Sequence, residues 1–274
     1  MPESTRTAGG PDGAGGRQGP AGPARPQRRS RLRRLRIGVA SHVRAFVRTP
    51  LNVALLVAFP VVVIEGYGAA MAAFPQFPGL AVESMAEMGR VNGAVYAAAF
   101  LAGILGLFQS IGAVQADERL RVCGYDRAEL FASRLAAVAL GSALVAAVST
   151  AVLQWRVEPA APAAAFGALT LAALLYGLVG MLVGAVLPRA LEGSLVLVFL
   201  VDFDDFLSSG VVAVDSPALK LLPLHYPHDI FQAAVFDGTV ASGDALAALA
   251  YLGAAFVAAL AVYVRVTGRG GVLS

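Results

Sequence analysis

Apolar runs long enough to cross a lipid bilayer as helices recur from residue 51 to residue 264. A helix needs about 20 mostly apolar residues to span the hydrocarbon core. Only 14% of the residues are charged, against about 25% in soluble domains. The sequence therefore predicts an all-α, polytopic membrane protein with six transmembrane helices. Their approximate bounds are 51–74, 91–114, 131–153, 164–187, 191 onward and 245–264.

Glycine and alanine are abundant in all six segments. In lipid, small side chains allow helix backbones to approach closely, and this contact drives much of helix association. Gly177, Gly180 and Gly184 lie three and four residues apart in the fourth segment. We expect this face of the fourth helix to lie directly against a neighbouring helix.

The first 48 residues differ from the rest of the chain. Residues 1–30 are rich in Gly, Pro and Arg and have almost nothing to bury, which predicts a disordered basic tail. Residues 31–48 alternate arginines with apolar residues at helical spacing, which predicts a basic amphipathic helix in the membrane interface. Nucleic-acid binding is disfavoured, because the apolar face needs a hydrophobic partner. The predicted division is this tail, a transmembrane domain over 31–267 and a short cytoplasmic tail over 268–274.

Charge is distributed unevenly and predicts the topology. Residues 1–50 contain eleven arginines and two acids, so the net charge of +3 leaves residues 51–274 at −6. Basic residues favour the cytoplasmic side of a membrane protein. With six crossings, both termini, residues 115–134 and the turn at 188–192 fall on that side. We expect a multi-pass protein of the plasma membrane with cytoplasmic N- and C-termini.

Residues 202–243 are too apolar for a free loop and too interrupted for a crossing. Pro217, Pro223 and Pro227 prevent one long helix. The pattern predicts short helices that re-enter the outer half of the membrane before the last crossing. Such a segment is tolerated only where it packs against protein or lines a wet cavity.

Four carboxylates within or beside the predicted crossings are candidate pathway or gate residues: Glu65, Asp202, Asp204 and Asp205. An ionisable group inside a bilayer is costly and normally faces a partner or a cavity. Glu65 has a simpler interpretation, because it lies about 22 Å of helix beyond Leu51, near the outer interface. The three aspartates also have a simpler interpretation, because they can end the fifth helix at the outer water interface.

Catalytic motifs are missing, so the sequence does not predict an enzyme. A P-loop needs Gly-Lys followed by Ser or Thr, and the single lysine, Lys220, lies in ALKLL. No G-x-S-x-G motif is present. The single cysteine, Cys123, excludes an internal disulfide and a cysteine-rich metal site.

The stretch HYPHD contains His225, His228 and Asp229, which are metal-ligand residue types. Pro227 between them predicts a turn, and no third strong ligand lies close in the sequence. We therefore expect two ordinary loop histidines, with no metal and no cofactor bound by this chain.

Residues 115–135, QADERLRVCGYDRAELFASRL, form an island of mixed charge between the second and third segments. Gly124 interrupts the run, Asp126 is a candidate helix N-cap, and Glu129 follows three residues later. These features predict a short, stiff cytoplasmic elbow. Such an elbow has two competing interpretations: a surface that docks on another protein, which we favour, and ordinary helix capping.

Several stretches resemble ABC-2 type transporter permeases. They are the RTP that ends the amphipathic helix, Phe59-Pro60, ADERLRVCGYDRAELFASRLAA and LLPLHYPHDIFQAAVFDG. The resemblance implies six helices per subunit, a homodimer or heterodimer of permease subunits, and a separate ABC ATPase subunit that holds ATP and Mg²⁺. It also implies that a coupling helix contacts that ATPase. The implied coupling residues are Asp117, Glu118, Arg119, Gly124, Tyr125, Asp126, Arg127 and Glu129.

The expected function is therefore the permease subunit of an ABC exporter. The acidic 202–205 cluster and the long basic tail depart from the family pattern, so the resemblance implies no particular substrate. The alternative is an ATP-independent channel or secondary transporter. That alternative predicts inverted repeats and several ionisable residues at mid-membrane depth, and the sequence shows no clear repeat.

Overall fold

The computed structural model describes residues 33, 36–41, 44, 48, 50–73, 84–111, 119–120, 126–187, 189–211 and 216–269. All regular elements in these ranges are helical. They are α1 (Pro50–Ala72), α2 (Met85–Ser110), α3 (Arg127–Gln154), α4 (Pro162–Val186), α5 (Ala190–Ser208), a 3-10 helix (Pro217–Leu221), α6 (His225–Phe236) and α7 (Ser242–Arg269).

Five of these helices are long and apolar enough to cross a membrane, namely α1, α2, α3, α4 and α7. Together they indicate a multi-pass membrane protein. The predicted fifth crossing corresponds to α5, which has 19 residues. It is not among the five, since Glu192 and three aspartates make it more polar than the others.

Helix α2 begins six residues before its predicted start, at Met85 rather than Val91. Its first turn contains Glu87, whose N–H donates to the hydroxyl of the N-cap residue Ser84 over 3.3 Å. A capped polar first turn is invisible to a search for apolar runs, because its stability comes from hydrogen bonds to the helix end. The other predicted starts lie within four residues of the observed ones.

The centre of the bundle is a backbone contact between α2 and α4. A Cβ atom added to Gly106 would overlap the carbonyl oxygen of Gly177, and one added to Gly180 would overlap that of Gly103. Only glycine allows two helices to approach this closely. The predicted close-packing face of α4 is thereby confirmed.

Helices α5 and α6 together return the chain from the end of α4 to its beginning. Asp204 near the end of α5 bonds to Tyr176 in the middle of α4 and to the N–H of Leu224 just before α6. At the far end of α6, the carbonyl of Ala234 accepts from the N–H of Ala161, the residue before α4. Helix α6 therefore extends from mid-height in the bundle to the level where α4 starts.

The stretch HYPHD forms the first turn of α6 instead of the predicted turn. Pro227 is the third residue of this helix. The first N–H groups of a helix have no partner within it, so a proline there removes no hydrogen bond. Between α5 and α7 the described residues contain two short helices, the 3-10 helix and α6, and their re-entry into the membrane stays a prediction.

Part of the predicted amphipathic segment is described, and residues 36–41 are helical. Gly38 lies against the start of α3, where a Cβ atom would come within 3.3 Å of the Cβ of Ser133. The predicted disordered tail, residues 1–30, and residues 270–274 of the predicted C-terminal tail lie outside the described residues.

Candidate functional site

Asp204 is buried, with 1% of its surface exposed, and is fully hydrogen-bonded. Its carboxylate accepts from the hydroxyl of Tyr176 at 2.5 Å, from that of Ser208 at 3.0 Å and from the N–H of Leu224 at 3.1 Å. A buried carboxylate needs such donors to offset its loss of hydration. Asp204 therefore joins α4, α5 and the residue before α6 as a structural centre.

Asp205, the next residue, is equally buried but much less well bonded. Its Oδ1 lies 3.5 Å from Nε2 of His228, a residue with no exposed surface. Among the described residues, this oxygen and both ring nitrogens of His228 lack a hydrogen bond. The 3.5 Å contact is too long for a good hydrogen bond but close enough for electrostatic attraction. Asp205 and His228 therefore form a buried pair held by electrostatic attraction between α5 and α6.

Asp205 lies on the wall of a cavity of about 570 Å³ between α1, α2 and α5. Asp202, which is exposed, lines the same cavity. Neither arginine nor lysine is among the described side chains that line it. The lining residues are Tyr67, Met71, Asn92, Phe199, Asp202, Phe203, Asp205, Phe206, Ser209 and Val211.

An amide contact connects α6 to two of the residues that line the cavity. Gln232 Nε2 donates to Oδ1 of the buried Asn92 at 3.2 Å and to the carbonyl of Ser209 at 3.0 Å. The contact fixes α6 to α2 and to the end of α5. Because Asn92 and Ser209 also line the cavity, the position of α6 determines the shape of its wall.

Glu65 is placed away from this cavity. Its carboxylate pairs with Arg156 at 2.8 Å and with Arg90 at 3.5 Å. Its side chain is 37% exposed and is not part of the cavity lining. The ion pairs join α1, α2 and the residues just after α3. Among the predicted pathway residues, the structure therefore brings Asp202 and Asp205 together at one cavity and places Asp204 beside them, without Glu65.

Sequence reasoning missed Tyr67, Asn92 and Gln232 and gave His228 a different role. Asn92 had a signal, because a buried amide within an apolar segment needs a partner. From the sequence, His228 was expected to be an ordinary loop histidine rather than a metal ligand. Its neighbour Asp205 lies 23 positions away, and only the packing of α6 against α5 brings the two together.

Half of the eight predicted coupling residues lie outside the described residues, namely Asp117, Glu118, Gly124 and Tyr125. Arg119 is helical and exposed. Asp126 is the exposed N-cap residue of α3, as predicted, but its side chain makes no capping hydrogen bond. Arg127 and Glu129 are in the first turn of α3. Their role in coupling stays a prediction.

Arg134 connects the start of α3 to the end of α2. Its side chain is buried, and one guanidinium nitrogen donates to the carbonyl of Gln109. The last carbonyls of a helix have no partner within it, and a basic side chain there satisfies them. The two helices that flank the elbow are therefore held together by a buried charged hydrogen bond.

His225 and Asp229 form a second, looser pair on α6, with Nε2 and Oδ2 3.7 Å apart. Burial raises the pKa of Asp229, and the neighbouring His225 opposes that rise. Within the described part of the chain, no group of three or more His, Cys, Asp or Glu side chains could hold a metal ion.

Comparison with protein families and with curated sequences gives no match to this chain. The functional interpretation therefore rests on the residues and the geometry described above, together with the resemblance noted from the sequence.

Proposed function

We propose that this chain is the membrane permease subunit of an ABC exporter, which forms the transmembrane pathway and couples to a separate ATPase subunit. The observation that carries the proposal is a chemical difference between the two ends of the bundle. One end has an acidic cavity whose wall includes the buried Asp205. The other has exposed charged residues at the elbow, next to the buried Arg134 contact.

The proposal includes α5 as a sixth crossing. Its 19 residues correspond to about 28 Å of helix, close to the hydrocarbon thickness. Two of its three aspartates face protein, which lowers the cost of burying them. Six crossings also leave both ends of the chain on the side of the elbow, in agreement with its arginines.

In this proposal α6 is a re-entrant helix. Irregular backbone at membrane depth must be satisfied by protein. The N–H of Leu224, just before α6, is bonded to Asp204. At the far end, the carbonyls of Ala234 and Val235 accept from Ala161 and Ala160. Both ends of α6 therefore have partners that support a position inside the outer half of the membrane.

A coupling mechanism follows from the contacts. ATP-driven closure of the partner pushes the elbow, and Arg134 transmits the movement to α2. The glycine contacts connect α2 to α4, and Tyr176 connects α4 to Asp204 on the cavity helix α5. The free energy comes from the different affinity of the elbow for two states of the ATPase. A second permease subunit completes the pathway.

A secondary transporter is the second candidate, and the Asp205–His228 pair is the observation that favours it. Paired ionisable side chains buried among transmembrane helices are typical of proton-coupled carriers. Such a carrier would work without any ATPase. The presence or absence of an ATPase partner therefore distinguishes the ABC exporter from the secondary transporter.

Co-purification tests the proposal. The tagged chain is isolated from its native membranes after mild cross-linking, and the co-purified proteins are sequenced. We expect a protein with a P-loop and ATPase activity, and we expect Arg127→Glu at the elbow to reduce its recovery. Lys220→Glu, which reverses an exposed charge in the 3-10 helix between α5 and α6, serves as the control. The proposal fails if no ATPase is recovered, or if Arg127→Glu and Lys220→Glu give the same yield.

A further inference from the structure

The cavity between α1, α2 and α5 has a negative wall. It carries the carboxylates of Asp202 and Asp205, while no basic side chain is among its described lining residues. His228, behind Asp205, contributes at most one positive charge. Two carboxylates against one imidazole leave the wall with an excess of acidic groups, whichever form His228 takes. A negative charge in a weakly polar site attracts a cation strongly.

The rest of the wall is aromatic and apolar. Tyr67, Phe199, Phe203 and Phe206 contribute four aromatic rings. The faces of such rings attract cations and also bury apolar groups. The volume of about 570 Å³ falls within the usual range of small-molecule pockets, roughly 300–1,000 Å³.

A divalent metal ion fits this wall poorly. Calcium and magnesium are bound by several converging oxygen ligands, whereas no group of three or more His, Cys, Asp or Glu side chains that could hold a metal ion is found among the described residues. A zwitterionic lipid headgroup also fits poorly, because its phosphate would be repelled by the carboxylates. An organic cation fits both halves of the wall, since its charge is spread over an apolar body.

The entrance faces outward from the subunit. The side chains of Phe199, Phe203 and Phe206 are 71%, 60% and 55% exposed. Asp205, at 3% exposed, lies deeper in the wall, and its Oδ1 faces His228 on the far side from the entrance. A ligand therefore meets aromatic side chains first and the buried carboxylate last. This order suits a molecule that partitions into lipid and carries one positive charge.

We propose that this cavity binds lipophilic organic monocations, such as amines or quaternary ions with aromatic or alkyl groups. Asp205 and Asp202 supply the counter-charge, and Tyr67, Phe199 and Phe203 surround the apolar body. Binding to the purified chain is independent of any ATPase. The further step, in which such a cation is the exported cargo, rests on the proposed exporter function.

Equilibrium binding of radiolabelled tetraphenylphosphonium to the purified full chain in detergent tests the inference. We expect saturable binding, and no binding of the neutral analogue triphenylphosphine oxide. Asp205→Asn should weaken binding by about tenfold or more, because the amide removes the attraction of a buried charge. Phe203→Ala should weaken it by about threefold to tenfold through loss of ring contact.

Glu158→Gln is the matched control, since it removes an exposed carboxylate that does not line the cavity. We expect it to bind like the wild type. If Asp205→Asn does not fold, Asp202→Asn and Phe203→Ala decide, because both side chains are exposed. Wild-type affinity in those variants, equal binding of the neutral analogue, or no saturable binding overturns the inference. If cation binding fails but an ATPase is still co-purified, the exporter proposal stands. If the cation binds but no ATPase is co-purified, only the exporter proposal is rejected.

Discussion

The hydroxyl of Tyr176 on α4 donates a hydrogen bond to the carboxylate of Asp204 on α5 over 2.5 Å. The same carboxylate accepts from the N–H of Leu224, which immediately precedes α6. One buried side chain thus holds three segments that are far apart in the sequence. Oδ1 of the neighbouring Asp205 has no hydrogen bond among the described residues and lies 3.5 Å from His228, while Asp205 also lines the cavity. The two adjacent aspartates consequently differ: one joins three segments, and the other lies on the cavity wall, where we propose that it attracts a cation.

Asp204→Ala should destabilise the protein more than Tyr176→Phe. The first variant leaves the Ser208 hydroxyl and the buried N–H of Leu224 without their acceptor, at about 1–3 kcal/mol for each group left unsatisfied. The Tyr176 hydroxyl keeps only its 3.3 Å hydrogen bond to the carbonyl of Leu200. The second removes one donor and leaves the others in place. We expect the thermal midpoint of the detergent-solubilised protein, followed by size-exclusion chromatography, to fall by about 5 °C or more for Asp204→Ala. A larger fall for Tyr176→Phe would contradict this assignment.

Glycine substitutions should distinguish the α2–α4 contact from other parts of α4. In Gly180→Ala the new methyl group meets the backbone of Gly103, so the helices must separate. Overpacking of this kind costs about 1–3 kcal/mol. Gly167→Ala on the same helix has open space around its Cβ position and should gain about 0.5–1 kcal/mol from helix propensity. Equal thermal midpoints for the two variants would rule out the close contact.

The fold was predictable from the sequence to the extent that it depends on apolar length. The starts of α1, α3 and α4 lie close to their predicted positions, because hydrophobic runs end where polar residues and prolines begin. The first turn of α2 was missed, since it is polar and depends on the Ser84 cap. The first turn of α6 was interpreted as a loop, because the tolerance of Pro227 depends on where the helix starts.

The candidate site was predictable only in part. Asp202, Asp204 and Asp205 were recognised from their position at the end of an apolar run. The sequence did not show that Asp202 is exposed, that Asp204 is hydrogen-bonded and that Asp205 faces His228. These differences depend on contacts with Tyr176 and His228, which lie more than 20 positions away from the aspartates that they contact. Period and composition describe single helices, whereas burial of a particular oxygen depends on how several helices pack together.

Glu65→Gln should have little effect on stability or on cation binding. Its ion pairs with Arg90 and Arg156 are partly exposed, and such pairs contribute about 0–1 kcal/mol. We expect a small fall in the thermal midpoint that shrinks at high salt, and wild-type affinity for tetraphenylphosphonium. Asp205→Asn, measured in parallel, should lose affinity. If Glu65→Gln no longer binds tetraphenylphosphonium although its thermal midpoint is unchanged, Glu65 is part of the pathway after all.

Chemical labelling should establish which end of the bundle is cytoplasmic. Cys123, the only cysteine of the chain, lies in the elbow segment. The arginines predict that this segment faces the cytoplasm. A membrane-impermeant maleimide should therefore leave the protein unlabelled in intact cells and label it in inverted vesicles.

A second variant, with its single cysteine at the other end of the bundle, should give the opposite labelling pattern. Trp155 lies just after α3, at the other end of the bundle from the elbow, and its side chain is 77% exposed. The double variant Cys123→Ser/Trp155→Cys should react in intact cells, since α3 separates the two positions by about the thickness of the membrane. Labelling of Cys123 in intact cells would place the elbow outside. An ATPase in the cytoplasm could not then reach it, and the proposed coupling would be wrong even if α5 is a sixth crossing.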